Sequence, residues 1–257
     1  MKKLLIILCI LTLCSSSFAG GITEKLKAVV GRQSVAADGG FSTGDIVSEW
    51  FDGAGYQRGT CGSTPCWTES LNSIAIDEDN TDLSTTGFSS DALEIDGSAE
   101  GDARTVMNLS SSVSEGYVRF YLYISAYNEE NRVIFNMMPD GGNFGWDSNA
   151  LLLVLDGTES PYTLKLFSNS GQRDSVSVAS GASHKIEVYM CNNGDASCIE
   201  NSGSDGWAWW VNDSAEGNAA DDPSGDFQDV GFGISYAANN ITLYFDHFDI
   251  DSSARID

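Results

Sequence analysis

From Glu49 onward the chain alternates apolar and polar residues in short runs, with Gly, Asn, Asp and Ser clustered between them. A period of two puts successive side chains on opposite faces of a strand, so each run offers one face to a core and one to solvent. Ala92-Leu93-Glu94-Ile95 and Val106-Met107-Asn108-Leu109 carry the pattern, and residues 116–124 form a longer run rich in aromatic and β-branched side chains. Further strands are predicted over 132–138, 150–155, 162–167, 174–178, 184–190, 207–211, 230–236 and 241–250. No helical pattern longer than a few turns interrupts the series, so the expected fold is all-β, an antiparallel β-sandwich. Residues 49–257 show neither a composition break nor an internal repeat and are read as one domain.

The chain ahead of this stretch is of another kind. Lys2 and Lys3 precede an apolar run from Leu4 to Cys14, and Ser15-Ser16-Ser17-Phe18-Ala19 follows it. A basic start, a short hydrophobic segment and a small-x-Ala ending are the parts of a secretory signal peptide, read here as residues 1–19. The apolar run falls short of the ~20 residues that cross a bilayer, and no later stretch qualifies as a membrane span. Residues 20–48 form a short N-terminal lead-in, with Ile22, Leu26 and Val29 at helical spacing before a Gly/Ser/Asp-rich segment. The expected location is outside the cytoplasm, whether secreted, on the cell surface or in the periplasm.

Charge narrows the partners. The formal net charge is −24 at pH 7. Without residues 1–19, 11 basic residues stand against 37 acidic ones, which gives −26. Such a surface repels DNA, anionic lipid and sulfated or uronic-acid glycans, so nucleic acid is not an expected partner. Four cysteines remain after signal removal, in two close pairs, Cys61 with Cys66 and Cys191 with Cys198. Three pairings are open, and proximity favours the two local disulfides. Each would add about 2 kcal/mol in the chain-entropy model. Zinc is disfavoured, since no histidine lies beside either pair and neither has C-x2-C spacing.

Several segments, taken in order, have a family resemblance. Trp50-Phe51-Asp52-Gly53-Ala54-Gly55-Tyr56, Ile76-Asp77-Glu78-Asp79 and Ser90-Asp91-Ala92-Leu93-Glu94-Ile95 resemble the opening of concanavalin A-like, laminin-G-type jelly rolls of bacteria and phages. Residues 117–124 are similar to their "Y-V-R-F-Y-L" strand, and Ser183-His184-Lys185-Ile186-Glu187-Val188-Tyr189 to their "W-H-K-I-E-V-Y" strand. Trp207 to Asn212 resembles the next hairpin strand, and Leu243-Tyr244-Phe245-Asp246 with Ser253-Ala254-Arg255-Ile256 the closing "Y-F-D-D-V-x-V…R-I". The resemblance implies a jelly roll over residues 49–257. It also implies a structural calcium ion joining the opening segment to the last strand through Asp52 and Asp246, with Asp77 and Asp79 as competing ligands.

Chemistry is harder to find. Retaining β-glucanases of that superfamily carry E-x-D-x-E or E-x-D-x-x-E on one strand, with the catalytic carboxyls ~5 Å apart. Here Glu94, Asp96 and Glu100 form E-x-D-x-x-x-E, with Gly97 and Ser98 breaking the strand, and no tryptophan flanks them. The two histidines, His184 and His247, sit inside strand patterns, where structural roles are expected. There is no nucleophile elbow, H-E-x-x-H or P-loop. A non-catalytic protein is therefore expected. Sugar binding in such folds uses exposed aromatic rings, and the candidates are Trp146 in a Gly/Asn-rich loop and Tyr127 beside Asn128. Of Trp207, Trp209 and Trp210, alternation sends the first two to one face and the third to the other, with one face in the core. The reading is a lectin-like module for a neutral glycan or a surface protein. The alternative is a self-associating structural subunit of a surface or phage-like appendage.

Overall fold

In a computed structural model of the chain, the described residues are 47–49, 66–71, 74–77, 88, 92–96, 101–146, 151–158, 160–168, 171–192, 198–200, 205–220, 225–237 and 241–256. The chain divides into two units, residues 1–42 with Asp257 and Thr43–Ile256, and every described residue belongs to the second. The expected signal peptide and helical lead-in lie outside the described residues.

All regular structure among the described residues is strand: β1 (Val47–Glu49), β2 (Cys66–Leu71), β3 (Ile74–Asp77), β4 (Ala92–Asp96), β5 (Gly101–Val113), β6 (Glu115–Ala126), β7 (Arg132–Met138), β8 (Leu151–Asp156), β9 (Tyr162–Ser168), β10 (Gly171–Val178), β11 (Ser183–Cys191), β12 (Gly206–Val211), β13 (Ser214–Ala220), β14 (Phe227–Ala237) and β15 (Thr242–Asp251). They form two antiparallel sheets. One has eight strands in the order β13-β12-β11-β6-β15-β4-β3, with β1 also pairing β15. The other has seven, ordered β10-β9-β8-β7-β14-β5-β2. The expected all-β antiparallel sandwich is the observed fold. Its first strand begins ahead of the expected boundary at residue 49, because Val47 and Ser48 pair with Ile250 and Asp249 of the last strand.

The period-two pattern builds the core directly. Val118, Phe120, Leu122 and Ile124 of β6, with Phe245 of neighbouring β15, face Phe135, Leu153, Leu164 and Phe232 of the other sheet in one buried cluster. Trp207 and Trp209 join that cluster, while Trp210 belongs to a separate one on the opposite face of β12. Trp209 donates its Nε1–H to Asp174 Oδ2 at 3.1 Å, so the indole crosses from one sheet to the edge strand of the other and stays satisfied.

One expected face is corrected. Unbroken alternation along β15 would put Tyr244, Asp246 and Phe248 on one face. The register of β15 slips between Asp246 and Asp249, where His247 has φ +49°. A bulge adds one residue and resets the alternation, so Phe245 and Phe248 both enter the core.

The outer face of the eight-stranded sheet is closed to solvent around Arg119 and Glu187. Arg119 and Glu187, on neighbouring strands and paired in register, are each 1% exposed. After β15 the chain returns across this face. Ile256 N donates to Glu187 Oε1 and Arg255 Nε to Glu187 Oε2, both at 2.8 Å. Arg119 donates to Ile256 O at 3.2 Å and pairs with Asp249. The Arg255 guanidinium lies 4.5 Å over the Trp210 ring, a cation–π contact. Glu187→Ala would leave two of these donors without their acceptor in a buried site. The expected cost is about 3–5 kcal/mol, read as a lower midpoint in denaturant unfolding, with Glu187→Gln losing less.

Candidate functional site

The seven-stranded sheet shows the contrasting outer face. Alternation sends Leu152 and Val154 of β8 and Phe167 of β9 outward, where they join Val106, Val133, Met138 and Phe144 in an apolar layer. Residues 139–146 fold down onto this layer. Gly142 N donates to Pro139 O at 2.9 Å and closes the first turn. Gly141 N donates to Asp229 Oδ2 at 2.9 Å, and Asn108 Nδ2 holds the other oxygen at 2.7 Å. Arg104 Nη1 donates to Phe144 O at 3.1 Å, and Asn136 Nδ2 to Gly145 O, also at 3.1 Å.

Glycine makes the close approach. A Cβ at Gly231 of β14 would lie 2.6 Å from the Phe144 ring, so only a strand without a side chain there lets the loop seat. Gly145 has φ +126°, a conformation that side chains disfavour. The chain then delivers Trp146, which is 49% exposed. Its ring meets Phe167 edge-on, at 5.1 Å between centroids and 87° between planes. Beside Phe167 on the same face of β9 are Lys165 and Thr163. Lys165 Nζ is 2.8 Å from Asp156 Oδ2 and 2.6 Å from Asn131 Oδ1. Ser175 and Ser177 of β10 pair in register with Lys165 and Thr163. The result is an exposed indole packed on Phe167, with hydroxyls and an ion pair on one side.

The other expected residues are placed differently. Tyr127 is a correction: it is 5% exposed, its ring packs 5.9 Å from that of Tyr162, and its hydroxyl donates to Leu155 O at 2.7 Å. Burial pushes its phenol pKa up. It fills the interior and offers a ligand nothing: β6 ends at Ala126, and the chain beyond it turns the Tyr127 ring into the core against the alternation of the strand. Asn128 is exposed in the β6–β7 connection. Asp246 is buried, and its Oδ1 accepts from His247 N at 2.8 Å. Asp52, Asp79, Cys61 and Glu100 lie outside the described residues, as do the side chains of Asp77 and Cys66. Cys191 and Cys198 form the expected disulfide.

Glu94 and Asp96 of β4 are half-buried on the outer face of the eight-stranded sheet, opposite Leu93 and Ile95. Both histidines are packed. His184 Nε2 is 2.9 Å from Ala179 O. His247 lies edge-on to Tyr121, and burial, with Arg119 adding to it, brings its pKa down to about 3. The sequence reading missed Phe167, Lys165, Asn136 and Arg104. A signal for the seat was present in Gly231-x-Gly233, two glycines on one face of a strand, which marks a close approach.

No family model matches the chain, and no curated protein matches it. Solved structures do. The binding domain of botulinum neurotoxin serotype C1 superposes with a TM-score of 0.52 at 12% identity, over 83% of this chain and 49% of that one. The cellulose-induced protein Cip1 gives 0.51 at 15% identity, over 80% of this chain and 97% of its own. The fold is shared. The type G botulinum receptor-binding domain gives 0.50 at 8% identity, over 81% of this chain and 48% of its own. This chain thus spans about half the length of the neurotoxin binding domains it matches. At these identities the likeness speaks for the jelly-roll sandwich alone.

Acid should act on the site through Asp156. Its hydrogen bond from Lys165 holds its pKa below the ordinary carboxylate range. A depressed folded pKa contributes stability above the unfolded value and loses it as pH falls through the folded one. Asp229 runs the other way, since burial raises its pKa and favours the folded state in acid. In Asp156→Asn, the stability lost as pH falls from about 5 to about 2 should shrink relative to wild type, as measured by urea unfolding at each pH.

Proposed function

We propose that this protein is an exported, non-catalytic carbohydrate-binding module of lectin type, a laminin-G-type member of the concanavalin A-like jelly rolls. The observation that carries the reading is Trp146. It is 49% exposed although it is the largest kind of side chain, and its ring packs edge-on against Phe167 at the end of a hydrogen-bonded loop. An exposed indole stacks on the apolar face of a pyranose, while neighbouring hydroxyls and charged groups meet its edges. Thr163, Lys165, Asp156, Ser175 and Ser177 are such groups. A net charge of −24 favours a neutral glycan over an anionic one. The absence of cleavage is supported by position. Glu94 and Asp96 lie on the outer face of one sheet and Trp146 on the outer face of the other, so a sugar on Trp146 has two sheets between it and those carboxylates.

The test is a neutral-glycan array with wild type and Trp146→Ala. Wild type should bind, and the variant should lose at least about tenfold in affinity, roughly the stacking energy of one ring. Its melting temperature should stay the same because the ring is half in solvent.

Calcium belongs to the same reading as a structural ion. Asp246 and Asp52 would hold it. Glu49 pairs with Phe248, so the chain leading to Asp52 sets out beside the strand that carries Asp246. Bound calcium would supply charge compensation for a fully buried carboxylate. Thermal unfolding in calcium and in chelator checks this. Calcium at about a hundred times its dissociation constant should stabilise by about 2.7 kcal/mol, and equal melting temperatures would remove the ion from the reading.

A further inference from the structure

We infer that the Trp146 surface takes the end of a glycan chain, or a short oligosaccharide, and not the interior of a polymer. This rests on the reading that Trp146 binds a glycan, and it adds which part of the glycan is recognised. The outer face of a seven-stranded sheet is by itself a platform across which a polymer could lie in both directions. Here the half over β7, β14 and β5 is occupied by the chain's own residues 139–146. The occupation is built in. Phe144 sits on Gly231 and is 5% exposed, and separate hydrogen bonds from Arg104, Asn136 and to Asp229 tie the loop to three strands of the sheet. Beneath it Val106, Val133, Met138 and Asn136 are buried. On the other half, over β9 and β10, Thr163, Lys165 and Phe167 are half-exposed and Ser175 and Ser177 exposed.

Trp146 stands at the boundary, its ring against Phe167 on the open side. A sugar stacked there has polypeptide on one flank and the polar rows of β9 and β10 on the other. An interior unit of a chain must continue on both flanks. A terminal unit continues on one. Binding should therefore count chain ends.

The experiment is calorimetric titration with neutral gluco- and manno-oligosaccharides of increasing length and with the parent soluble glucans and mannans, all expressed per chain end. The expected result is a dissociation constant per end that changes by less than about threefold from oligosaccharide to polymer, since interior units add no sites. Phe144→Ala, and separately Asn136→Ala, should loosen the loop and turn binding into one that scales with the number of repeating units. A melting curve for each variant shows that it is folded. Wild-type binding that counts repeating units would overturn this inference and leave glycan binding standing. No binding of any saccharide would overturn both.

Discussion

The carboxylate of Glu187 is withdrawn from water at the centre of the eight-stranded sheet, and much of the molecule is arranged around keeping it satisfied. A buried carboxylate is costly unless both oxygens find donors. Here one oxygen takes the Ile256 amide and the other the Arg255 side chain. Arg119, equally buried, is met by Asp249 and by the Ile256 carbonyl. The segment after β15 is thereby drawn across the sheet. Tyr117, Tyr189 and Trp210 become a second apolar cluster under that side, joined by the Cys191–Cys198 disulfide. Over β6, β11 and β12, what would have been a half-exposed sheet face is an interior, with Tyr117 hydrogen-bonded to Glu200 and Tyr189 to Glu115 at its edge.

The other sheet's outer face is covered differently. The seven-stranded sheet carries its own cover, but the cover is a loop with hydrogen-bonded polar anchors and a single deep ring. Gly231 is what allows it, since the Phe144 ring occupies the space of a side chain. The loop therefore does two things together. It buries the apolar layer that would otherwise attract other chains, and it holds one aromatic ring out in solvent.

The two outer faces also keep apart the two features that stand out in the sequence. The family-like Glu94-x-Asp96 pair and the exposed tryptophan are on different sheets. Fold and catalytic apparatus are separable, and a shared sandwich carries no obligation to cleave.

Much of the architecture was legible in the sequence because strand periodicity is a local property. The alternation in β4, β6, β7, β11 and β12 assigns inward and outward residues without any partner being known, and it placed Trp207 and Trp209 apart from Trp210 correctly. β13 was invisible to that test. As an edge strand reading Ser-Ala-Glu-Gly-Asn-Ala-Ala it buries too little to need apolar residues. Its only signal is the Asn212-Asp213 turn, both residues at positive φ as a tight hairpin requires. The bulge at His247 was likewise hidden, and with it the true face of Phe248. Tyr127 was misjudged because whether a ring is covered depends on what packs against it. Alternation says which side of a strand a residue occupies. It does not say whether that side is solvent, and here contacts such as Glu187 with Ile256, 69 residues apart, and Gly231 with Phe144 decided it. The sequence by itself determined the sandwich and its inner faces. Only the tertiary structure decided which outer face is sealed and which one holds out Trp146, because burial is set by chain segments that meet only after folding.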